Sequence, residues 1–376
     1  MRILHIATLV TPDGAYGGPV RVAENQLRAL AARGHEVELI AGEAGFDAVP
    51  TEIGGVPASL FPVSRLIPAT GFAGLASPRL QRHVKNRLRD ADVVHIHLAR
   101  DLVTLPAARA VLRAGVPLVV QPHGMIDESS NPLAGPIDTL LTRAILRRSS
   151  RILTLTDLES DSLERVAGRS LAVSRIPNGV PLDNLPTPKS GTREVLFLAR
   201  LHPRKRPGMF VEMARTLLRE GSDANFVLVG PDEGEGQLVS RLIEESGYSD
   251  RIRWEGALAP SETLERLARC SVYVLPSVNE IIPMSVLEAM SLGKACVITS
   301  SNGLAGPLES TCAGLIVDES VSGLTDGVRR ILSNPELADE VGRRARDLAQ
   351  RDYSMDAVAS QLDNIYADVR HSVPTF

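Results

Sequence analysis

The sequence predicts an α/β protein built from two tandem Rossmann-like domains that face each other across a cleft. A chain of 376 residues exceeds the size at which one hydrophobic core keeps growing. Two successive series of short apolar runs alternate with helical patterns, which is typical of buried parallel strands. A segment rich in proline and small polar residues, VPLDNLPTPKSGT, separates the two series. We therefore place the domains at residues 1–186 and 187–353.

Each domain supplies five candidate strands. Those of the first domain are Ile3–Val10, Glu36–Ala41, Val93–His97, Leu118–Gln121 and Ile152–Leu155. Those of the second are Val195–Ala199, Phe226–Val229, Ile252–Trp254, Val272–Leu275 and Ala295–Thr299. Apolar residues at helical spacing in the tail predict an amphipathic helix, at about 354–376, that crosses back to the first domain. Because ligands of open α/β sheets collect at the carboxyl ends of strands, motifs at those ends are the site candidates.

Composition excludes several classes of function. Aromatic residues make up only 3% of the chain and its formal charge is -4, so binding to nucleic acid is not expected. Neither series opens with G-x-G-x-x-G, and no phosphate-binding loop of the G-x-x-x-x-G-K-[ST] type occurs. The first residues enter a strand pattern without a charged leader, which predicts a cytoplasmic protein. The oligomeric state stays open.

The segment PSVNEIIPMSVLEAMSLG, residues 276–293, is the most informative stretch of the chain. It places Glu280 before a helix and Glu288 on that helix, with Pro283 suited to the first turn and Gly293 to the stop. A helix N-terminus offers unpaired amides to a diphosphate, and the flanking carboxylates accept hydrogen bonds from sugar hydroxyls. The pattern therefore indicates a nucleotide-sugar site, although an amphipathic helix with incidental acids remains the alternative.

A basic loop follows the first strand of the second domain. The loop, LHPRKR at residues 201–206 with Arg200 before it, carries four cations, of which Arg200 and Lys205 are the candidate ligands of a diphosphate. Cations at this position stabilise the charge that develops on a leaving diphosphate. The alternative is a solvated basic loop, the usual fate of a charge run.

Three features of the first domain are weaker candidates. Gly17 and Gly18 stand just before a helical pattern, where the backbone can approach a phosphate closely, or form a plain tight turn. His123 follows the strand LVVQP at a carboxyl end and is placed to face a sugar, although a lone histidine is more often structural. His95 and His97 alternate on one strand, and without a carboxylate we do not predict a metal there.

The sequence Asp90-Ala91-Asp92 matches a D-x-D pattern that holds a divalent cation in some sugar transferases. It precedes a strand and so lies at the edge away from the ligand-bearing ends. We interpret it as unrelated to the site.

The ordered set of motifs resembles the GT-B class of retaining, nucleotide-sugar-dependent glycosyltransferases, known as glycosyl transferase group 1 or family 4. The likeness spans nearly the whole chain. Its motifs are GGPVRVAENQLRALAARGHEV, DVVHIH, PHGM, IPNGV, ARLHPRKRP, LVGPD, the E-x7-E segment, SLGKACVITS and AGLIV.

The resemblance implies roles for particular residues. Glu288 would bind the ribose hydroxyls, Arg200 and Lys205 the diphosphate, and Glu280 and His123 the donor sugar. Leu258 would lie near the base, and Gly18 would bring an amide to the phosphates. The family needs no D-x-D metal, so no cofactor is expected. The implied catalytic residues are Glu280, His123, Arg200 and Lys205.

Departures from the family pattern modify this site. Glu280 is followed by Ile281 and Ile282 where Gly-Phe or Asn-Phe is common, which alters the wall of the sugar pocket. Pro283 has no amide, so Met284 and Ser285 become the donors to phosphate. The family usually has a double glycine that contacts the donor, and here Asn302-Gly303 stands in its place. Gly303 is therefore the donor-binding candidate, with a less certain contact. His97 and Arg100 fall in an acceptor-side motif that differs from the usual H-G-L-W.

The sequence thus predicts a glycosyltransferase that moves a hexose-type sugar from a nucleoside diphosphate sugar to a hydroxyl acceptor. The acceptor classes left open are a lipid-linked glycan, a polysaccharide intermediate and a small metabolite. Alternatives are a sugar-nucleotide epimerase or hydrolase of the same fold and, less favoured, a non-catalytic sugar-binding protein. Arginine and lysine residues around the apolar stretch Leu66–Ala76 suggest peripheral membrane contact, with a mobile loop beside a solvated helix as the alternative.

Overall fold

The fold was analysed on a computed structural model, which describes residues 1–12, 17–66, 71–128, 134–182, 185–187 and 193–371. The chain divides into two compact units. Unit 1 comprises Met1–Gly179 and Met355–Phe376, and unit 2 comprises Val180–Ser354. The sequence placed the border between the domains after residue 186, but the structure places it after Gly179. The reason is that Val180 pairs with Ser354 in an isolated bridge within unit 2.

Unit 1 contains ten strands and six helices in its amino-terminal part, over the described residues. The strands are β1 (Arg2–Val10), β2 (Glu36–Glu43), β3 (Glu52–Ile53), β4 (Val56–Pro62), β5 (Ser64–Arg65), β6 (Leu75–Ala76), β7 (Val93–Ile96), β8 (Leu118–Val120), β9 (Arg151–Thr154) and β10 (Val173–Arg175). The helices are α1 (Gly17–Ala32), α2 (Pro78–Arg87), α3 (Thr104–Ala114), α4 (Ala134–Ile137), α5 (Arg143–Arg148) and α6 (Asp157–Ala167). A π-helical turn, Asp138–Thr142, joins α4 to α5.

The main sheet of unit 1 has the strand order β10-β9-β8-β7-β1-β2-β4-β3. Its pairings are parallel except for the antiparallel β3–β4 pair. Alternate residues of β1 face opposite sides, so Leu4 and Ile6 enter one apolar cluster while Ile3 and Ala7 enter another. Burial on both faces explains why these strands read as continuous apolar runs.

Unit 2 contains a six-stranded sheet that is parallel throughout, in the order β13-β12-β11-β14-β15-β16. Its strands are β11 (Glu194–Leu198), β12 (Asn225–Val229), β13 (Ile252–Trp254), β14 (Val272–Leu275), β15 (Ala295–Thr299) and β16 (Leu315–Val317). Its helices are α7 (Pro207–Arg219), α8 (Gly236–Ser246), α9 (Thr263–Arg269), α10 (Met284–Ser291), α11 (Ala305–Ser310), α12 (Val321–Leu332) and α13 (Pro335–Asp352). The prediction of a parallel α/β sheet in each half of the chain is confirmed.

The C-terminal helix α14 (Met355–His371) belongs to unit 1, as its apolar spacing predicted. Val358, Leu362 and Val369 are buried in the cluster that covers one face of the unit 1 sheet. Arg33 and His35, at the end of α1 and before β2, contact Asp363 on the outer side of α14. Tyr366 is fully buried beneath the helix, although its polar hydroxyl needs partners there.

Two local predictions need correction. Gly17 and Gly18 are the first residues of α1 and do not precede it. Pro283 is the N-cap of α10 in an extended conformation, with the first turn starting at Met284, because its lack of an N–H suits the residue that ends the loop. Gly293 has a φ of 67° just beyond the helix, the left-handed conformation typical of a helix stop.

Candidate functional site

The carboxyl ends of three neighbouring strands of unit 2 carry the loops that the sequence singled out. The loop after β11 brings Lys205 against Glu280, which follows β14, with 2.7 Å between Lys205 Nζ and Glu280 Oε1. Both side chains are mostly buried, at 15% and 13% exposure. Burial lowers the pKa of Lys205 below its ordinary value, and the Glu280 carboxylate partly offsets this. Two of the predicted catalytic residues are therefore in direct contact.

Backbone hydrogen bonds hold the loop that carries Glu280. Val278 N–H donates to the Arg204 carbonyl over 2.9 Å, and the Arg204 guanidinium donates to the Asn279 carbonyl. Asn279 has a φ of 52°, a conformation that asparagine tolerates better than most residues. Its N–H donates to Ser301 Oγ over 3.2 Å. The loop is thus tied on one side to the basic turn and on the other to the turn after β15.

Gly303 closes the second of these contacts. Its N–H donates to the Glu280 carbonyl over 2.7 Å, and a Cβ at this position would lie 1.7 Å from the Ile281 carbonyl oxygen. Only glycine permits so close an approach of two backbones. The amide predicted to bind the donor is therefore already engaged, and the structure supports a role for Gly303 in holding the Glu280 loop.

The N-terminal turn of α10 contains the other predicted ligands of unit 2. Met284 and Ser285 occupy its first two positions and Glu288 lies one turn further, 3% exposed. The Ser285 hydroxyl lies 2.7 Å from the Tyr273 hydroxyl, which donates to the Leu198 carbonyl over 3.2 Å. Sequence reasoning missed Tyr273 because a tyrosine inside a buried strand reads as core; its polar tip is the only signal.

Arg200 follows β11 and forms an ion pair with Glu233, which follows β12. Its Nη1 lies 2.7 and 2.6 Å from the two carboxylate oxygens, with the arginine side chain 44% exposed. The sequence placed Arg200 on a diphosphate, and the structure shows that an internal carboxylate holds it. Glu233 was not predicted; its position in the strand-end segment PDEGEG was the available signal.

Leu258 and Ile282 line the periphery of the same unit. Both are partly buried and pack against the apolar core. Trp254, at the end of β13, donates from Nε1 to the Gly230 carbonyl over 2.9 Å and so fixes the strand ends that precede Leu258.

In unit 1, His123 occupies a constrained turn after β8. It has a φ of 54°, and Gly124 beside it has a φ of 71°. Gly124 N–H donates to Glu159 over 2.6 Å, and Met125 N–H closes the turn on the Pro122 carbonyl over 2.9 Å. Burial raises the pKa of Glu159 and lowers that of His123 to about 3. The histidine is therefore neutral and held in one place at physiological pH.

His123 is the end of a buried chain of hydrogen bonds. Its Nε2 lies 2.7 Å from His97 Nδ1, and His97 Nε2 lies 3.1 Å from His5 Nδ1. His5 Nε2 lies 3.1 Å and His95 Nδ1 lies 2.7 Å from the Tyr366 hydroxyl. The strand pattern pairs His95 with His97 but gives no sign of His5 or Tyr366, because contacts between distant segments leave no local pattern.

The rings of His5, His95 and His97 bring nitrogens within 4.8 Å of one another, a spacing that could hold a metal ion. Most of these nitrogens already face each other or Tyr366 at hydrogen-bonding distance, so a metal would have to displace those bonds. The prediction that no metal binds stays a prediction.

Arg100, predicted on the acceptor side, is committed to a local ion pair. Its Nε and Nη2 lie 2.8 and 3.0 Å from the two Asp138 carboxylate oxygens, and its side chain is 12% exposed. His97 is buried behind His123. A Cβ placed on Gly18 would meet nothing within 4 Å, so the backbone at the start of α1 is open, while residues 13–16 before it lie outside the described residues.

The D-x-D pattern lies where the sequence placed it, before β7. Asp92 accepts from the Arg2 N–H over 2.8 Å and pairs with Arg370 at 3.2 Å. Asp90 lies 3.8 Å from Arg2. These contacts join β1, β7 and α14 at the amino-terminal edge of the sheet.

The stretch proposed for membrane contact is only partly exposed. Leu66 is 65% exposed, whereas Leu75 and Ala76 are buried and residues 67–70 lie outside the described residues. Arg79, Arg82 and Lys85 on α2 are exposed. Among the described residues, none of the helices has the length and apolar character needed to cross a bilayer.

Comparisons with known proteins place this fold. Residues 17–179 match the glycosyl transferase 4-like domain, and residues 185–348 match the glycosyl transferases group 1. The structural match with sucrose-phosphate synthase from Thermosynechococcus elongatus covers 98% of this chain and 99% of that one, with a TM-score of 0.77 and 18% identity. The match with Anabaena HepE, solved with UDP, covers 98% of this chain and all of HepE, with a TM-score of 0.77 and 17% identity.

Two relatives that are similar in sequence are also glycosyltransferases. Alpha-D-kanosaminyltransferase from Streptomyces kanamyceticus is 27% identical over 68% of this chain and 71% of its own. A D-inositol 3-phosphate glycosyltransferase from Saccharomonospora viridis is 25% identical over 97% of this chain and 92% of its own. The fold and the matched domains define a glycosyltransferase of the GT-B class. The chain belongs to the group 1 glycosyltransferases.

Proposed function

We propose that this enzyme is a retaining, metal-independent glycosyltransferase that moves a hexose-type sugar from a nucleoside diphosphate sugar to an alcohol hydroxyl. The observation that carries the proposal is the Lys205–Glu280 pair, which the strand-end loops of unit 2 hold at 2.7 Å. A mostly buried ammonium is suited to a phosphate, and a carboxylate beside it is suited to sugar hydroxyls.

The residues divide the work as follows. Lys205 and Arg200 stabilise the diphosphate as it gains charge on leaving, with the first amides of α10 adding hydrogen bonds. Glu280 and the neutral His123 orient the donor sugar, and the buried Glu288 binds the ribose. The acceptor oxygen attacks from the face that the diphosphate leaves, so the anomeric configuration is kept. The positive charges of Arg200 and Lys205 in unit 2 support metal independence, because they supply the charge that a metal would otherwise bring to the diphosphate.

UDP is the first nucleotide to test, because solved structures of similar fold contain it. Calorimetric titration with UDP, GDP, ADP and dTDP, each with and without EDTA, is expected to reveal one preferred nucleotide whose binding EDTA leaves unchanged. Slow hydrolysis of the matching α-linked donor should first release the α-anomer, as nuclear magnetic resonance would show. Absence of any diphosphate binding would reject the site, and loss of binding in EDTA would reject metal independence.

The acceptor remains one of the three classes that the sequence left open. Membrane contact through the exposed cations of α2 is tested separately by sedimentation with anionic vesicles at low and high salt. Binding that salt abolishes, and that Arg82→Ala with Lys85→Ala weakens, would support a lipid-linked acceptor. Cytoplasmic location follows the same proposal, since the donor nucleotide sugar must be accessible to the enzyme.

A further inference from the structure

The hydrogen-bond chain beneath α14 has a property that its members lack separately. A neutral imidazole carries one ring proton, so it donates at one nitrogen and accepts at the other. His5 and His97, which link Tyr366 to the turn after β8, are at most 1% exposed. His123, the third histidine, is held in the turn itself. Burial lowers the pKa of His5 and of His97 well below the ordinary value, and the rings are therefore neutral.

The direction of one proton consequently fixes all the others. When the Tyr366 hydroxyl donates to His5 Nε2, the His5 proton lies on Nδ1 and is donated to His97 Nε2. The His97 proton then lies on Nδ1 and is donated to His123 Nε2. His123 is left with its proton on Nδ1, as a donor.

The opposite orientation reverses every bond. When the Tyr366 hydroxyl donates to His95 Nδ1, its oxygen accepts from His5 Nε2, and His5 Nδ1 accepts from His97. His97 Nδ1 then accepts from His123 Nε2, which leaves His123 Nδ1 bare, as an acceptor. Both states pass through the Tyr366 hydroxyl, which lies between His5 and His95. The second state places a proton on His95 Nε2, a buried atom without a hydrogen-bond partner among the described residues. A buried N–H without a partner is costly, so the first state is favoured.

We propose that Tyr366 is a positioning residue that sets the tautomer of His123 through His5 and His97. The Nδ1 atom of His123, which has no hydrogen-bond partner among the described residues, thereby presents a single hydrogen-bonding character to whatever it contacts. In the reaction, which rests on the function proposed above, this character decides whether His123 donates to or accepts from a sugar hydroxyl. A residue of the C-terminal helix thus controls the donor sugar's contact without touching it.

Stacking supports the rigidity that such a chain requires. The His97 and His123 rings lie 5.0 Å apart at an interplanar angle of 10°, and the His95 and His97 rings lie 4.7 Å apart at 16°. The facing β1 and β7 strands pair His5 directly with His95. The sheet therefore holds His5 and His95, while His97 and His123 follow the ends of β7 and β8 and the Tyr366 hydroxyl comes from α14.

The test is nitrogen-15 nuclear magnetic resonance of the histidine-labelled full chain, in which the two ring nitrogens report the tautomer. The wild type is expected to show His123 as one neutral tautomer at pH 7. Tyr366→Phe removes the hydroxyl alone and is expected to give the average of two tautomers. Tyr353→Phe, which changes another buried tyrosine outside the hydrogen-bond chain, is the matched control and should leave the spectrum of His123 unchanged.

A second variant guards against misfolding of the first. His5→Gln interrupts the same hydrogen-bond chain and is expected to give the same averaged signal for His123. An averaged signal in the wild type, or a single unchanged tautomer in both variants, would overturn the proposal.

Kinetics separates this inference from the proposed function. If His123 acts on the donor sugar, kcat of Tyr366→Phe falls by the fraction of His123 in the wrong tautomer, about two- to fivefold, with donor KM changed less. A changed tautomer with unchanged kcat would leave the hydrogen-bond chain standing and would reject the role of His123 in transfer.

Discussion

Lys205 and Glu280 lie 2.7 Å apart on loops that follow two different strands, β11 and β14. The pair is mostly buried, so removing either partner leaves an uncompensated charge that has lost much of its solvent. In an enzyme that binds a diphosphate, Lys205 then has two anions to satisfy, the carboxylate and the phosphate. On the function proposed above, the pair keeps the ammonium aligned before the donor arrives.

Replacement of Lys205 by alanine is expected to weaken nucleoside diphosphate binding by about ten- to a hundredfold, since a hydrogen bond to a charged group contributes about 1.5–3 kcal/mol. Calorimetric titration with the preferred diphosphate measures this. Lys85→Ala removes an exposed lysine of α2 and serves as the control. Equal affinity in the two variants would remove Lys205 from the site.

The Arg200–Glu233 ion pair predicts the opposite effect for its acid. Glu233 competes with a diphosphate for the same guanidinium, so Glu233→Gln should tighten diphosphate binding. Because Arg200 is 44% exposed, the pair contributes only about 0.2–1 kcal/mol, and the gain is about 1.4- to fivefold.

Glu220→Gln is the control for this change. Glu220 pairs with the exposed Arg329 elsewhere in unit 2, so Glu220→Gln should leave the affinity for the diphosphate unchanged. Weaker binding by Glu233→Gln would show that Glu233 orients Arg200 for the diphosphate and does not compete with it.

The sequence predicted the parallel sheets well and the site only in part. The five strands expected in unit 2 coincide with β11 to β15 within one residue at each end, because buried parallel strands are short, apolar and bounded by loops. The strands β3 to β6, β10 and β16 were not predicted, since most of them are only two or three residues long and partly exposed. Lys205 and Glu280 were predicted because each sits at a strand end in a charged or acidic motif.

The missed residues share a different property. Tyr366, His5 and Tyr273 lie in apolar segments, where a polar side chain reads as incidental core. Their function depends on partners up to 361 positions away in sequence, as for His5 and Tyr366. Local pattern carries no information on such contacts, and the close contact of Gly303 with Ile281 is likewise visible only in three dimensions.

Gly303 supplies a steric prediction. A Cβ there would lie 1.7 Å from the Ile281 carbonyl, so Gly303→Ala must shift the loop that carries Glu280. We expect donor binding to weaken by about tenfold while the folded state persists, since a shift of about 1 Å at a site is costly to activity. Gly306→Ala, in α11 with open space around it, is the matched control. Calorimetry and thermal unfolding of both variants give the comparison, and unchanged donor binding in Gly303→Ala would contradict it.

The buried histidines of unit 1 predict acid sensitivity. Burial lowers the pKa of His5, His95 and His97 well below the ordinary value of 6.5, and that of His123 to about 3. The unfolded chain binds protons at these sites below pH 6.5 while the folded chain does not. Stability is therefore complete above pH 6.5 and is lost as the pH falls towards 3.

Each such histidine lowers the free energy of unfolding by about 1.4 kcal/mol per pH unit within that window. Denaturant unfolding between pH 7 and 5 measures the slope. His123→Asn should reduce this slope by the contribution of one histidine. Asparagine is chosen because it tolerates the positive φ at that position. His371→Asn changes an exposed histidine of α14 and is the matched control. Because the two variants share every carboxylate, equal slopes in both would contradict the lowered pKa of His123 in the folded protein.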